Sequence, residues 1–203
     1  MSRLWILFLL PAFLQTAGEA SSAKKIRAAD VSKGPLKLSA DETVSKDRGK
    51  LIEASGHVKV NYLMENEDTL ESVSQFARYD HAQGVGEVWG SPDAIWRRKD
   101  PLEPTTRLLA KKIVLKLKNS ELLATGNVSV IQTSSTLKAE QVSYSNSEKQ
   151  LTALGGQPEF TILQANHHTR IRAQKIVAWT ETKEIHFTDR VKGVVLLKEE
   201  PKP

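Results

Sequence analysis

An all-β chain built as a stack of antiparallel hairpins is the fold this sequence predicts. Three observations carry that expectation. Val58-Lys59-Val60, Val128-Ser129-Val130 and Phe160-Thr161-Ile162 alternate apolar and polar residues with period two, the pattern of half-buried strands. No window longer than ten residues holds apolar residues at helical spacing, so helices are few. The strand runs also recur at a fixed distance from a small residue, which marks a repeat architecture.

The repeat is read as follows. Ala40-Asp41 leads sixteen residues on to Gly56-His57-Val58-Lys59-Val60. Ala110-Lys111 leads by the same sixteen to Gly126-Asn127-Val128-Ser129-Val130, and Ala139-Glu140 to Gly155-Gly156. Ala77-Arg78 reaches Gly90-Ser91-Pro92 at thirteen, an irregular spacing, and Ala173-Gln174 reaches Asp189 at sixteen, with aspartate in place of glycine. Polar turns lie between the markers: Lys46-Asp47-Arg48-Gly49, Lys118-Asn119-Ser120, Ser145-Asn146-Ser147-Glu148 and Glu181-Thr182-Lys183. Each unit reads as strand, turn, strand, glycine-marked bend, strand. One unit cannot bury its apolar face alone, whereas a stack folded over on itself makes a continuous interior. The glycine before each V-x-V marks a bulge or corner.

The ends are different. Met1-Ser2-Arg3, the apolar run Leu4 to Leu14 and the small residues up to Ala20 read as a cleaved secretory signal peptide over 1–20. The run is too short to cross a bilayer. Residues 21–35 read as a flexible leader, 36–198 as the folded domain and 199–203 as a tail. A chain of 203 residues without cysteine excludes disulfides, thiol catalysis and Cys-ligated metals. Its formal charge of +5 and pI near 9.3 suit anionic partners. Export argues against nucleic acid.

Period two assigns the inward face. Ile52, Ala54, Val58 and Val60 share one side, as do Ile113, Leu115, Leu122, Val128 and Val130. Val142, Tyr144, Leu151, Phe160 and Ile162 continue it, and Ile176, Ile185, Phe187 and Val191 close it. Lys116 and Lys118 then face solvent. These side chains fit either a solid sandwich core or the lining of a groove.

With its "Ala-Asp, hairpin, Gly-x-Val-x-Val" unit, strongest over 36–62 and 107–155, the chain resembles the OstA-like family. That family includes the lipopolysaccharide-transport protein LptA, the periplasmic part of LptC and the N-terminal domain of LptD. The resemblance spans Leu36 to Leu197. It implies a β-jelly-roll of two facing antiparallel sheets open along one edge, with an apolar groove for lipopolysaccharide acyl chains. It also implies end-to-end stacking in a head-to-tail homo-oligomer or with LptC-like and LptD-like jelly-rolls, and no enzymatic activity or cofactor. A periplasmic carrier is the leading expectation. An LptC-like membrane-associated component, a strand-pairing adaptor without lipid cargo and a polysaccharide-binding or -cleaving β-solenoid are the alternatives. Sparse aromatics and dispersed acids count against the solenoid.

No other chemistry competes. His167-His168 point to opposite faces of a strand and cannot both hold one metal. His57 and His186 have no carboxylate at a helpful sequence spacing. No G-x-S-x-G, phosphate loop or H-E-x-x-H occurs. Trp96-Arg97-Arg98-Lys99 and Lys111-Lys112 are candidate phosphate contacts at the groove mouth.

Overall fold

The computed structural model describes residues 36–64 and 67–197. The expected signal peptide, leader and tail lie outside them. The strands are β1 (Leu36–Ser39), β2 (Glu42–Lys46), β3 (Leu51–Leu63), β4 (Thr69–Asp80), β5 (Val85–Trp89), β6 (Asp93–Arg97), β7 (Thr106–Leu109) and β8 (Lys112–Lys116). They continue as β9 (Glu121–Ile131), β10 (Ser135–Ser145), β11 (Gln150–Leu154), β12 (Glu159–Leu163), β13 (His167–Arg172), β14 (Lys175–Trp179), β15 (Ile185–Thr188) and β16 (Lys192–Leu197). Among the described residues the helical content is a single 3₁₀ turn, Asp47–Gly49.

All sixteen strands form one antiparallel sheet, creased along a line so that it becomes two facing layers. In pairing order the first layer is β2-β3-β4-β5-β8-β9-β10-β11-β14-β15. The second is β1-β3-β4-β6-β7-β9-β10-β12-β13-β16. The long strands β3, β4, β9 and β10 belong to both. One half of each pairs in one layer and the other half in the second. This is the β-jelly-roll of stacked hairpins that the repeat implies.

The crease explains the repeat. In β3 the register with β4 slips between Ser55 and Val58, where Gly56-His57 face one partner residue. In β9 and β10 it slips between Ala139 and Gln141. Each bulge turns the strand from one layer into the other. The residue after each small marker lies over a glycine of the neighbouring corner. The Asp41 amide donates to the Gly56 carbonyl (2.9 Å), the Lys111 amide to Thr125 and Gly126 (both 3.0 Å), and the Glu140 amide to Gly155 (3.1 Å).

At Gly126 φ is +83°, and a Cβ would fall 2.7 Å from the Lys111 Cβ. The position therefore needs glycine twice, for its left-handed backbone and for the side chain lying on it. Asp189 takes the corresponding place in the last unit with φ +59° and accepts the Gln174 amide at 2.9 Å. Aspartate is among the residues that tolerate this region best, so the departure from glycine keeps the geometry.

One sequence assignment is corrected. Ala77 is not the marker of the second unit but part of a buried row, paired with Ala54 and Val88. The residues under Gly90 are Ser74-Gln75: a Cβ on Gly90 would lie 2.7 Å from the Gln75 Cβ. Ser74 to Gly90 is again sixteen residues. Serine stands where the other units carry alanine, and its Oγ donates to the Phe76 carbonyl at 3.0 Å within the bend. The unit is regular once its marker is read as small rather than as alanine.

Gly126→Ala should destabilise the protein by about 1–3 kcal/mol, from left-handed strain plus the clash with Lys111. Asp189→Gly should be neutral or raise stability by a few tenths of a kcal/mol. Urea denaturation of both variants checks the pair.

Candidate functional site: the apolar interior between the layers

Cross-strand register turns the period-two pattern into continuous rows. On the inner face of the first layer the row nearest the crease runs Ala54, Ala77, Val88, Ile113, Ala124, Val142, Ala153, Ile176 and Phe187. The next row outward runs Ile52, Tyr79, Gly86, Leu115, Leu122, Tyr144, Leu151, Ala178 and Ile185. Opposite them, on the second layer, Leu38, Val60, Ser72, Ala94, Leu108, Val130, Leu137, Phe160 and Ile171 form one row. Val58 and Val128 sit at the crease itself, almost without solvent contact. Ile162 lies one row toward the mouth, between Ser135 and Thr169.

Every residue assigned to the interior from sequence is thus on an inner face except Val191. That residue lies between β15 and β16, outside any strand, and is 51% exposed. It follows the left-handed pair Asp189 and Arg190, so the corner turns its side chain outward.

The interior has two characters. Toward β11–β15 it is close-packed: Val142, Ala153 and Ile176 are fully buried, and Phe160 meets Phe187 across the layers with ring centroids 6.0 Å apart. Toward β1–β8 a narrow apolar slot of about 50 Å³ opens. Leu36, Leu38, Val60 and Ser72 line it from one layer and Val88, Ile113, Leu115 and Gly86 from the other. Gly86 creates much of this room. Its φ is not in the left-handed region, and a Cβ there would meet nothing within 4 Å. Neither the backbone nor local crowding requires glycine here; the missing side chain leaves the space empty.

Sequence reasoning missed several walls. Tyr62, Leu70, Leu108 and Leu137 are buried; Tyr62 and Leu137 continue alternations that the sequence already shows, Val58–Tyr62 and Leu137–Ala139. It also missed Trp96. This ring reaches inward and meets Tyr144 of the opposite layer edge-on, with centroids 4.9 Å apart, so the two layers touch at the mouth. Asp68 positions Trp96. It is 3% exposed, accepts the indole Nε1–H at 3.0 Å and accepts from Arg98 at 3.1 Å. The Arg98 guanidinium lies 4.4 Å from the Trp96 ring centroid.

The basic run beside Trp96 is committed to structure. Arg97 pairs with Glu71 (2.6 Å), Arg98 with Asp68 and Lys99 with Glu67 (2.7 Å). Lys112 and Lys116 face outward, as alternation predicts, and pair with Glu87 and Glu121. His57 has a carboxylate after all: Asp41, sixteen residues earlier, lies 2.6 Å from its Nδ1 across the corner. Two carboxyls with displaced ionisation lie on outer faces. Hydrogen bonding to Lys116 holds Glu121 below the usual carboxylate range, and hydrogen bonding to Arg172 does so for Glu159. Among the described residues no cluster of His, Asp or Glu could hold a metal ion. The interior offers apolar surface and two buried hydroxyls, Ser72 Oγ and Tyr144 OH, without a hydrogen-bond partner.

Residues 108–194 match the family model described as "LptA/(LptD N-terminal domain) LPS transport protein". This part of the chain is similar to an LptA-type domain. The matched stretch runs from β7 into β16, and the corners at Gly56 and Gly90 before it share its left-handed glycine geometry. Among solved structures, the crystal structure of LptH from Pseudomonas aeruginosa, described as the LptA homologous periplasmic component of the lipopolysaccharide transport device, is similar. The two share 14% identity over 79% of this chain and 94% of that chain, with a TM-score of 0.48. No curated protein matches the chain.

Tyr144→Phe should leave stability unchanged or slightly raised, because the hydroxyl has no partner to lose and the ring contact stays. Trp96→Ala should cost about 2–4 kcal/mol through lost packing and one lost hydrogen bond to the buried Asp68. Thermal melts of the two variants distinguish a packed mouth from an open one.

Proposed function

We propose that this protein is a periplasmic component of lipopolysaccharide transport that carries the lipid by holding its acyl chains between the two layers. The observation that supports this best is the slot. An apolar cleft reaches in from the β1–β2 end of the jelly-roll, and a strand glycine keeps it open where any side chain could be accommodated. A solid sandwich core has no use for that glycine. An acyl chain leaving water for such a surface gains about 25 cal/mol per Å² buried. At about 50 Å³ the slot is narrower than several chains require, so loading parts the layers at the mouth, where Trp96 meets Tyr144. Binding is passive, and net direction comes from an energy source elsewhere. No step makes or breaks a bond, so the protein acts without catalysis.

The Gly86→Leu variant tests this. It should fold, since its Cβ meets open space, and it should fill the slot. Displacement of a bound hydrophobic dye by lipopolysaccharide should fall at least tenfold in affinity against wild type. Unchanged displacement in a folded variant would overturn the slot as the lipid site.

The open edges support assembly. Among the described residues β1 and β2 at one end, and β15 and β16 at the other, have a neighbour on one side only. Val194, Val195, Leu196 and Leu197 of β16 are all more than half exposed. Free strand edges are templates for pairing. Joining β15 and β16 of one copy to β2 and β1 of the next would continue both layers and align the interiors. An LptC-like or LptD-like jelly-roll could take the place of the second copy. Successive amides of an edge strand alternate between the inner ladder and the open side. One of Val194→Pro and Val195→Pro should therefore weaken concentration-dependent assembly without unfolding the domain. Light scattering over a concentration series reads this out.

A further inference from the structure

Ser72 is the feature of the slot that acyl-chain binding alone does not explain. It lies in the middle of β4, on the inner face, between Val60 and Ala94 on the flanking strands. It is 7% exposed, it lines the slot, and its Oγ has no hydrogen-bond partner. The strand on each side of β4 engages its backbone in a ladder. Alanine would fit the same space, as Ala94 does beside it with no exposure at all. A buried hydroxyl without a partner destabilises the free protein relative to alanine. Its use must then lie in the loaded state.

We infer that the slot selects acyl chains that carry a hydroxyl group, with Ser72 Oγ as the recognising atom; this rests on the reading of the slot as a lipid site. The chemistry follows from the surroundings. Leu38, Val60, Ala94 and Val88 offer the chain only apolar contact, so among these neighbours Ser72 is the side chain that can pair with a hydroxyl on the chain; the slot's other side-chain hydroxyls belong to Tyr62 and Tyr79. Serine can both donate to such a group and accept from it. Depth argues for a hydroxyl on the chain rather than the ester at its head. Ser72 is two residues from the crease residue Ser74, in the row behind Leu70 and Trp96, whereas a headgroup stays at the mouth. A chain without the hydroxyl leaves Ser72 unpaired and a hydroxyl chain without Ser72 buries its own group unpaired. Each mismatch costs affinity.

The test compares wild type with Ser72→Ala in displacement of a bound hydrophobic dye. The competitors are tetradecanoic acid and two hydroxytetradecanoic acids, with the hydroxyl near the carboxyl end or near the methyl end. The ratio of plain-chain to hydroxyl-chain dissociation constants is measured in each protein. The difference in hydration between the competitors cancels when the two ratios are divided. For at least one hydroxy acid that quotient should be about three- to tenfold in favour of wild type, the size of one neutral hydrogen bond. Melting of the lipid-free proteins is the second measurement, and Ser72→Ala should melt no lower than wild type. Equal ratios in the two proteins would overturn the selection while leaving lipid binding intact. A lower melting temperature for Ser72→Ala would overturn it too, by showing that the hydroxyl has a structural partner. Failure of all three acids to displace the dye from wild type would remove the lipid reading and this inference together.

Discussion

The crease is the constraint on which the rest of the molecule depends. A single sheet of sixteen strands cannot bury an apolar face unless it folds over, and it folds only where strands can change direction without losing their ladder bonds. The solution repeats at each corner. A left-handed pair of residues bends one strand, and the next corner covers it with a small residue and a polar side chain. The Asp41, Lys111, Glu140 and Gln174 amides are satisfied by the neighbouring corner, so the bend leaves few backbone groups stranded in a half-buried place. The layers face each other because the corners line up, and the corners line up because the spacing from small residue to glycine is constant.

Much of this was legible in the sequence because it is local. Alternation marks the inner face at Val58–Val60, Val128–Val130 and Phe160–Ile162, and the bulges coincide with the glycines that precede Val58 and Val128. What failed failed for physical reasons. Ala77 imitates a corner marker because buried alanines also occur along the rows, and Ser74 escapes the pattern because its role depends on size, not polarity. Val191 follows two left-handed residues that reverse the expected facing. Trp96 and Asp68, the His57–Asp41 contact and the room above Gly86 join parts of the chain far apart in sequence or depend on what is missing from a side chain. No pattern within one strand records them.

The outer faces show why a basic chain need not be a basic surface. Arg97, Arg98 and Lys99 answer Glu71, Asp68 and Glu67, and Arg107, Lys112 and Lys116 answer Asp93, Glu87 and Glu121. These are cross-strand or loop-to-loop pairs that fix neighbouring chain segments in register. Exposed pairs of this kind add little stability each. Their effect is to favour one pairing of the alternating strands, since a slip of one residue would break these pairs and turn the apolar rows to water. Recognition of an anionic headgroup by this basic run would have to compete with those pairings.

Four of the sixteen strands pass through the crease without interruption, while elsewhere the chain crosses it between separate strands such as β5 and β6 or β15 and β16. Mechanically these are two kinds of joint. A continuous bulged strand is a stiff spring that resists sliding of one layer over the other and permits a small change of angle. A corner between separate strands yields more readily. β3 and β4 are paired at the β1–β2 end of the stack and β9 and β10 in its middle, and the last joint, through Asp189 and Arg190, contains no continuous strand. The continuous strands thus come in two pairs, and the longest run of broken joints lies beyond the second. The jelly-roll can widen by rotation about its back while keeping lateral alignment, and it gives most at the end that offers β15 and β16 to a neighbour.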